Sequence, residues 1–404
     1  MALELTAPDR VLAVRAAARG SDRNDPDLLP VAGVLPPALS GALRGYVPQP
    51  GLVVAPNCSP QVPTASFCAG VRLSGGTARW HRAPATRPGL RPTLPATAEA
   101  RPAGSGVAVA RPVPDPSGAE LHTVAVHPGL PFAEHLIGTP GRLEQHSEPF
   151  PLEGAPLVLA LVVTHRWVVV LDLPVTHRES AALVGSAFPW RWTRGHQARI
   201  GLLPRSGGCP RWFRVEPCFV FHLAGAYEDG DTVVLDGVRH ERAFDPAGPP
   251  AGEPLLWRWE LDAGTGATRE RPLSEVPVEL PAMDSRFRSG PRQVVWTVEL
   301  ARDAAVRTAA GPAVLRHRMT GGRADLVARH ELGFGRLAGE PVFVPAALGA
   351  AEGEGWLLAP VDDDVADRTE ILVLDAQALA PLAAVLLPVR LPAGLHGDWL
   401  PLRR

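Results

Sequence analysis

Histidine offers the most versatile chemistry in this chain, because neutral imidazole binds divalent metals and also moves protons. Thirteen histidines are spread along the 404 residues. Two of them close strand-like runs, His222 in "EPCFVFHLAGAYEDGD" and His396 in "GLHGDWLP". A histidine at the end of a strand can be aimed at the central axis of a β-propeller. His222 and His396 are therefore the first candidates for a metal or proton-transfer site.

Common catalytic signatures are absent from the sequence. It contains no GxSxG elbow, no HExxH, no phosphate-binding GxxxxGK[ST] and no complete GxGxxG. The segment "GTGATRE" at residues 264–270 lacks the third glycine of a dinucleotide-binding loop. Because it lies between two strand-like runs, we interpret it as a hairpin turn.

Short β-branched runs that end in Gly, Asp or Pro turns recur along the chain and would position the histidines. Examples are "ARIGLLPRSGG", "DTVVLDGVRHERAFDPAG" and "TEILVLDAQ". Such spacing is typical of hairpins stacked into an all-β sandwich, barrel or propeller. Helical periodicity is confined to residues 8–19 and 376–386, the only helix candidates. The predicted fold class is all-β.

Composition limits the partners of the protein. Hydrophobic residues make up 46%, charged residues 20%, and the formal net charge is −2, which gives no reason to expect nucleic acid or an anionic membrane. The N-terminus lacks the apolar core of a signal peptide, and the longest apolar run, "APLVLALVV", is too short to span a bilayer. We therefore expect a cytoplasmic protein without a transmembrane segment, whose oligomeric state stays open.

Several segments follow the order of one known family. From about residue 185 to the end, "FPWRWTRGHQARIGLLPR", "WFRVEPCFVFHLAGAYEDGDTVVLD", "EPVFVP" and "LPAGLHGDWLP" resemble the carotenoid cleavage oxygenases. That family includes apocarotenoid and stilbene-cleaving oxygenases and the retinoid isomerase of the visual cycle. Upstream, "GVRLSGGTARWHR", "DPSGAELH" and "VVVLDLPV" fit three further landmarks. Residues 83–109 fit none, and we interpret them as a remodelled or eroded loop region.

The resemblance implies one domain over residues 1–404, a seven-bladed β-propeller. A cap of loops and short helices would form an apolar tunnel above it. Family members hold iron(II) on the axis through four neutral histidines from four blades, which leaves open positions for dioxygen. The expected partner is a small apolar molecule of the isoprenoid or polyene type.

Two of the four histidine positions differ from the family pattern. By the resemblance, the first position, in "ARPVPDPSGAELH", is Arg111, and the second, thirteen residues before Asp172, is Leu159. His222 and His396 occupy the third and fourth positions as residual ligands. A guanidinium stays protonated, and at ~5 Å from iron(II) it would cost several kcal/mol even at an effective dielectric of ~20. The cofactor is thus iron(II) if the residual site binds metal, and otherwise none.

Other histidines are poor substitutes for the two that are lost. If His165 and Leu159 share a strand, six residues separate them by ~20 Å. His127, in "VAVHPGLP", lacks the "DPxxGELH" continuation that follows the first position.

Two glutamates carry over from the resemblance as orienting partners of the histidines. They are Glu279 in "VELPAMD" and Glu340 in "GEPVFVP". Our hypothesis is that Arg111 pairs with Glu279, Glu340 or both, because buried carboxylates need a cationic partner. The alternative is that Arg111 is a surface residue in a drifted loop, and that His222 and His396 are structural remnants.

Three functions remain open at this point. The first is oxygen-independent chemistry at a degenerate iron site on an isoprenoid or polyene-like substrate. In it, Arg111 would stabilise negative charge and Glu279, Glu340 or a histidine would move protons. The second is an iron(II)-dependent dioxygenase that cleaves a carotenoid, apocarotenoid or stilbene-type double bond. The third is a non-catalytic binding propeller.

Overall fold

A computed structural model describes residues 27–45, 67–84, 108–110, 112–139, 145–184, 186, 188–248, 252–300, 311–391 and 397–401. Strands dominate this part of the chain. In the first half they are β1 Val31–Gly33, β2 Gly41–Gly45, β3 Phe67–Ser74, β4 Thr77–Pro84, β5 Ala108–Val109, β6 Val113–Pro114, β7 Leu121–Val126, β8 Phe132–Gly138, β9 Gln145–Pro151, β10 Val162–Val163, β11 Trp167–Asp172, β12 Val175–His177, β13 Trp190–Trp192 and β14 Arg199–Pro204.

The second half continues the same pattern. Its strands are β15 Arg211–Arg214, β16 Leu223–Asp229, β17 Thr232–Arg239, β18 Leu255–Asp262, β19 Thr268–Ala282, β20 Val294–Glu299, β21 Ala313–Thr320, β22 Arg323–Glu331, β23 Arg336–Ala338, β24 Val342–Pro345, β25 Gly355–Asp363, β26 Arg368–Asp375, β27 Pro381–Leu386 and β28 Gly397–Pro401. The described helices are α1 Glu179–Leu183 and a 3-10 turn at Ser285–Phe287.

Antiparallel sheets of neighbouring strands make up the fold. Four are β28-β2-β3-β4, β5-β7-β8-β9 with β6 on β7, β10-β11-β14-β15, and β1-β27-β26-β25-β23 with β24 on β25. A fifth runs from β16 to β22, and β12 pairs with β13. Strands from the beginning and the end of the described residues share sheets, because β28 pairs with β2 and β27 pairs with β1.

The long strand β19 belongs to two sheet units. Its first half pairs with β18, and its second half pairs with β20. Pairing with β20 is irregular between Glu279 and Ala282, where Leu280 adopts a φ of 53°. This left-handed conformation is uncommon for a leucine and bends the strand at one of the predicted site residues.

The prediction of an all-β fold is confirmed, and seven blades stay a prediction. The helix predicted at 376–386 is wrong, because this segment is a turn followed by β27. Alanine and leucine favour a helix, but pairing of β27 with β26 and β1 overrides that propensity. The candidate at 8–19 lies outside the described residues. The loop predicted at 83–109 is too wide, because its first two residues end β4 and its last two form β5.

Apolar clusters fill the space between the sheets. The largest contains Phe219, Val220 and Phe221, which immediately precede the candidate ligand His222. Trp259, from β18, is fully buried in the same cluster. The candidate site is therefore built beside a rigid apolar core.

Candidate functional site

His222 lies one residue before β16. Its backbone carbonyl accepts a hydrogen bond from the amide of Val238 at 3.0 Å, which fastens this segment to β17. The imidazole is half-buried, and its Nδ1 lies 2.7 Å from Oε2 of Glu279. A carboxylate at Nδ1 fixes the orientation of the ring and leaves Nε2 as the nitrogen that would bind a metal or a proton.

Glu279 is fully buried and is hydrogen-bonded through both oxygens. Its Oε2 also accepts from the amide of Leu280 at 2.6 Å, and its Oε1 lies 2.6 Å from Nε2 of His240. Burial by itself raises the pKa of Glu279, but the charge of His222 and the hydrogen bonds of both histidines outweigh burial and hold the pKa well below its usual range. The site therefore contains a buried carboxylate held between two imidazoles. Glu279, His222 and His240 together form what we call the Glu279 clamp.

His240 is a residue that the sequence reasoning missed. It follows β17, is buried, and packs edge-on against the ring of Phe221 at 4.9 Å between centroids. Its backbone exchanges two hydrogen bonds with Phe219. A usable signal was present, because His240 closes the strand-like run "TVVLDGVRH" just as His222 closes its own.

The clamp also changes the argument for Arg111. We expected Glu279 to need an arginine because it would otherwise be buried without a cationic partner. Two histidines hold its oxygens by hydrogen bonds instead. Arg111 itself and His396 lie outside the described residues, so their positions stay predictions. Glu340 is half-buried and stands two residues before β24.

Leu159 is half-buried and packs against the same apolar cluster as the segment preceding His222. It lies before β10, so the premise that it shares a strand with His165 is wrong. Strand β10 is only two residues long, because the turn at His165 follows it closely. His165 itself is exposed. His127 is buried, and its Nε2 is bound to Oε2 of Glu134 at 2.7 Å. Leu159 therefore contributes hydrocarbon at the position that the resemblance assigns to a histidine.

Arg288 is a second residue that was not predicted. It follows the 3-10 turn, and its Nη1 lies 3.5 Å from the carbonyl oxygen of Pro114. Burial lowers the pKa of Arg288, while the carboxylates of Asp398 and Asp115 raise it. An arginine thus stands beside the segments that follow the first and fourth histidine positions.

Comparison with known proteins identifies the family. Residues 90–401 match the family described as retinal pigment epithelial membrane protein. A carotenoid cleavage oxygenase of Mycobacterium tuberculosis is 30% identical over 72% of this chain and 68% of its own length. The chain belongs to this family. An isoeugenol monooxygenase of Pseudomonas putida is 34% identical over 67% of this chain, although the match spans only 60% of that enzyme.

Solved members of the carotenoid oxygenase family share the fold. Lignostilbene dioxygenase of Pseudomonas brassicacearum superposes with a TM-score of 0.75 at 19% identity, over 93% of this chain and 95% of that chain. A cobalt-substituted apocarotenoid oxygenase of Synechocystis gives a TM-score of 0.71 at 21% identity, over 92% of this chain and 94% of that chain. The fold is thus the β-propeller of the family.

The family's four-histidine iron site does not fit the described residues. Of the four positions that the resemblance predicts, the structure describes two, His222 and Leu159, and the leucine has no ligand atom. Within the described ranges, no group of three or more His, Cys, Asp or Glu side chains is arranged to hold a metal ion.

None of the described helices is long and apolar enough to cross a membrane.

Proposed function

We propose that this member of the carotenoid oxygenase family acts on a hydrophobic isoprenoid or polyene-like compound through oxygen-independent chemistry at a degenerate iron site. The observation that carries this proposal is the apolar packing of Leu159 at a position where the family uses histidine. A further support is Arg288, whose charge beside the ligand segments disfavours a divalent cation.

The retained residues can move protons without a metal. Glu279 is ionised and accepts the proton on Nδ1 of His222, so Nε2 of His222 is the basic atom of the pair. His240 holds the other oxygen of Glu279 and so keeps the carboxylate from rotating. Arg111 would stabilise negative charge that develops on the substrate, with Glu340 as a further proton carrier.

The names of the relatives support an apolar, conjugated substrate. They include carotenoid cleavage oxygenases, a lignostilbene dioxygenase and an isoeugenol monooxygenase. A substrate of this type would bind by apolar burial, in the tunnel that the family resemblance implies.

An iron(II)-dependent dioxygenase that cleaves a carotenoid, apocarotenoid or stilbene-type double bond is the second candidate. The observation in its favour is the intact pair of His222 and Glu279, which has the arrangement of a metal ligand with its orienting carboxylate. The 34% identity with isoeugenol monooxygenase points the same way.

The test is a turnover assay on the full chain with an apocarotenal and a stilbene, run in parallel under nitrogen and under air. The proposal predicts equal substrate conversion in both atmospheres, and loss of conversion in the His222→Ala variant but not in the exposed control His165→Gln. Conversion confined to air, with labelled oxygen in the products, would overturn the proposal in favour of the dioxygenase. No binding of either compound would overturn both.

A further inference from the structure

A cavity of about 560 Å³ lies at the end of β17, and its lining residues differ from those of the Glu279 clamp. Arg239 and Glu241 line it, whereas His240 between them turns the other way to reach Glu279. Its volume is within the range of about 300–1,000 Å³ that small-molecule sites occupy. The cavity is therefore large enough for a ligand and separate from the site described above.

The lining of this cavity is cationic. Arg194, Arg239 and Arg242 contribute three guanidinium groups, against the single carboxylate of Glu241. Its histidine, His196, is already bound through Nε2 to Asp172 at 2.6 Å. The charge of the lining therefore favours an anionic ligand.

Two of these guanidinium groups have little to neutralise them. In the described part of the chain, Arg194 makes no hydrogen bond or ion pair, and the contact of Arg242 with Asp245 is long, at 3.5 Å. Arg239 is held in place by the ring of Trp257, 4.8 Å from its guanidinium carbon, and by the carbonyl oxygen of Pro217. Planar guanidinium groups match the two oxygens of a carboxylate.

Besides Thr193 and Gly195, the rest of the lining is apolar. Pro174, Pro217 and the indole of Trp192 line the cavity. The flat indole packs well against an aromatic or other planar hydrocarbon body. Inorganic phosphate would use the arginines but gain nothing from these walls.

We propose that this cavity binds a small aromatic carboxylate, whose carboxylate is held by Arg194, Arg239 and Arg242 and whose ring lies against Trp192. The proposal does not depend on the function assigned to the Glu279 clamp.

The test is calorimetric titration of the full chain with sodium benzoate and, separately, with inorganic phosphate. Benzoate should bind with a Kd of about 1 mM or tighter, and phosphate at least about tenfold more weakly. The Arg194→Gln, Arg242→Gln double variant should weaken benzoate binding about tenfold, whereas Arg323→Gln, which alters an exposed arginine elsewhere, should leave it unchanged.

Two further variants guard against a misfolded double variant. Glu241→Gln should tighten benzoate binding by about twofold or more, because it removes the one carboxylate among the described lining residues. Trp192→Leu should weaken benzoate binding and leave phosphate unaffected. The proposal is overturned if benzoate affinity is the same in the arginine double variant, Glu241→Gln and Trp192→Leu as in wild type. It is also overturned if benzoate does not bind at about 10 mM. Equal binding of phosphate and benzoate overturns the aromatic part of the assignment.

Discussion

The second and third histidine positions that the family resemblance predicts lie beside one apolar cluster and hold different residue types. At the third position, His222 survives with its Nδ1 bound to the buried Glu279. At the second, Leu159 packs against the cluster and offers no polar atom. Of the two side chains, His222 has a buried carboxylate behind its ring.

This contrast indicates that a histidine ligand and its orienting carboxylate are kept or lost together. Removing one member of a buried charged pair leaves the other uncompensated, which costs about 3–5 kcal/mol. Glu279 is tied to two histidines, so loss of either would leave a buried carboxylate short of a partner. At the second predicted position, the apolar side chain of Leu159 fills the space.

Breaking the surviving unit should give the largest effect. Glu279→Ala leaves His222 and His240 without their common acceptor, and we expect the free energy of unfolding to fall by about 3 kcal/mol. Glu279→Gln keeps the shape and part of the hydrogen bonding, so its loss should be smaller. Urea denaturation followed by tryptophan fluorescence measures both. Unchanged stability in Glu279→Ala would show that the clamp is not a unit.

A second buried histidine pair, whose carboxylate contact is longer, sharpens the comparison, because Nε2 of His122 lies 3.4 Å from Oε2 of Glu120. His122 and His135 are fully buried, with Nδ1 of the first 3.0 Å from Nε2 of the second. Burial lowers the pKa of His122, and burial together with the charge of His122 lowers the pKa of His135 to about 4. Glu120, Asp115 and Glu148 oppose these shifts, while Arg205 and His146 reinforce them.

Acid should therefore destabilise the protein through this pair. Between pH 6.5 and about 4 the unfolded chain binds more protons than the folded one, so the free energy of unfolding falls as the pH falls, by roughly 3 kcal/mol from His135. His135→Gln should flatten this slope relative to wild type, and the exposed control His165→Gln should not. Identical slopes in wild type and His135→Gln would contradict the assignment.

Placing a histidine at the lost position by itself should have the smallest effect on stability. Leu159→His puts a polar ring against the apolar cluster without an orienting carboxylate, and we expect a loss of about 1–2 kcal/mol. Leu159→Met, which keeps the volume and polarity, should cost less than about 1 kcal/mol. Thermal unfolding of the two variants separates them. If Leu159→His is as stable as Leu159→Met, a polar group at this position already binds the introduced histidine.

Local sequence patterns predicted the hairpins well, because turn chemistry is local. In the hairpin at residues 110–122, Asp115 accepts from the hydroxyl of Ser117 and the amide of Glu120, as an Asp-Pro turn favours. The turn predicted at residues 264–270 likewise joins β18 to β19, although residues 268–270 already belong to β19. Where partners come from distant strands, local patterns fail, as they did for β27.

The site was only half accessible to sequence reasoning. The resemblance supplied His222 and Glu279, which the structure brings within 2.7 Å. It could not supply His240, which reaches Glu279 across 39 residues and is set by the pairing of strands. Arg288 was equally hidden, because nothing local to its sequence indicates contact with Pro114.

Metal content tests the central claim, that the four-histidine site has been dismantled, most directly. Wild type and the Arg111→His, Leu159→His double variant would be purified without oxygen, loaded with iron(II), and analysed for iron, zinc and manganese by mass spectrometry. Our account predicts far less than one metal per wild-type chain and about one iron per chain of the double variant. About one iron per wild-type chain, or a double variant as empty as wild type, would contradict it.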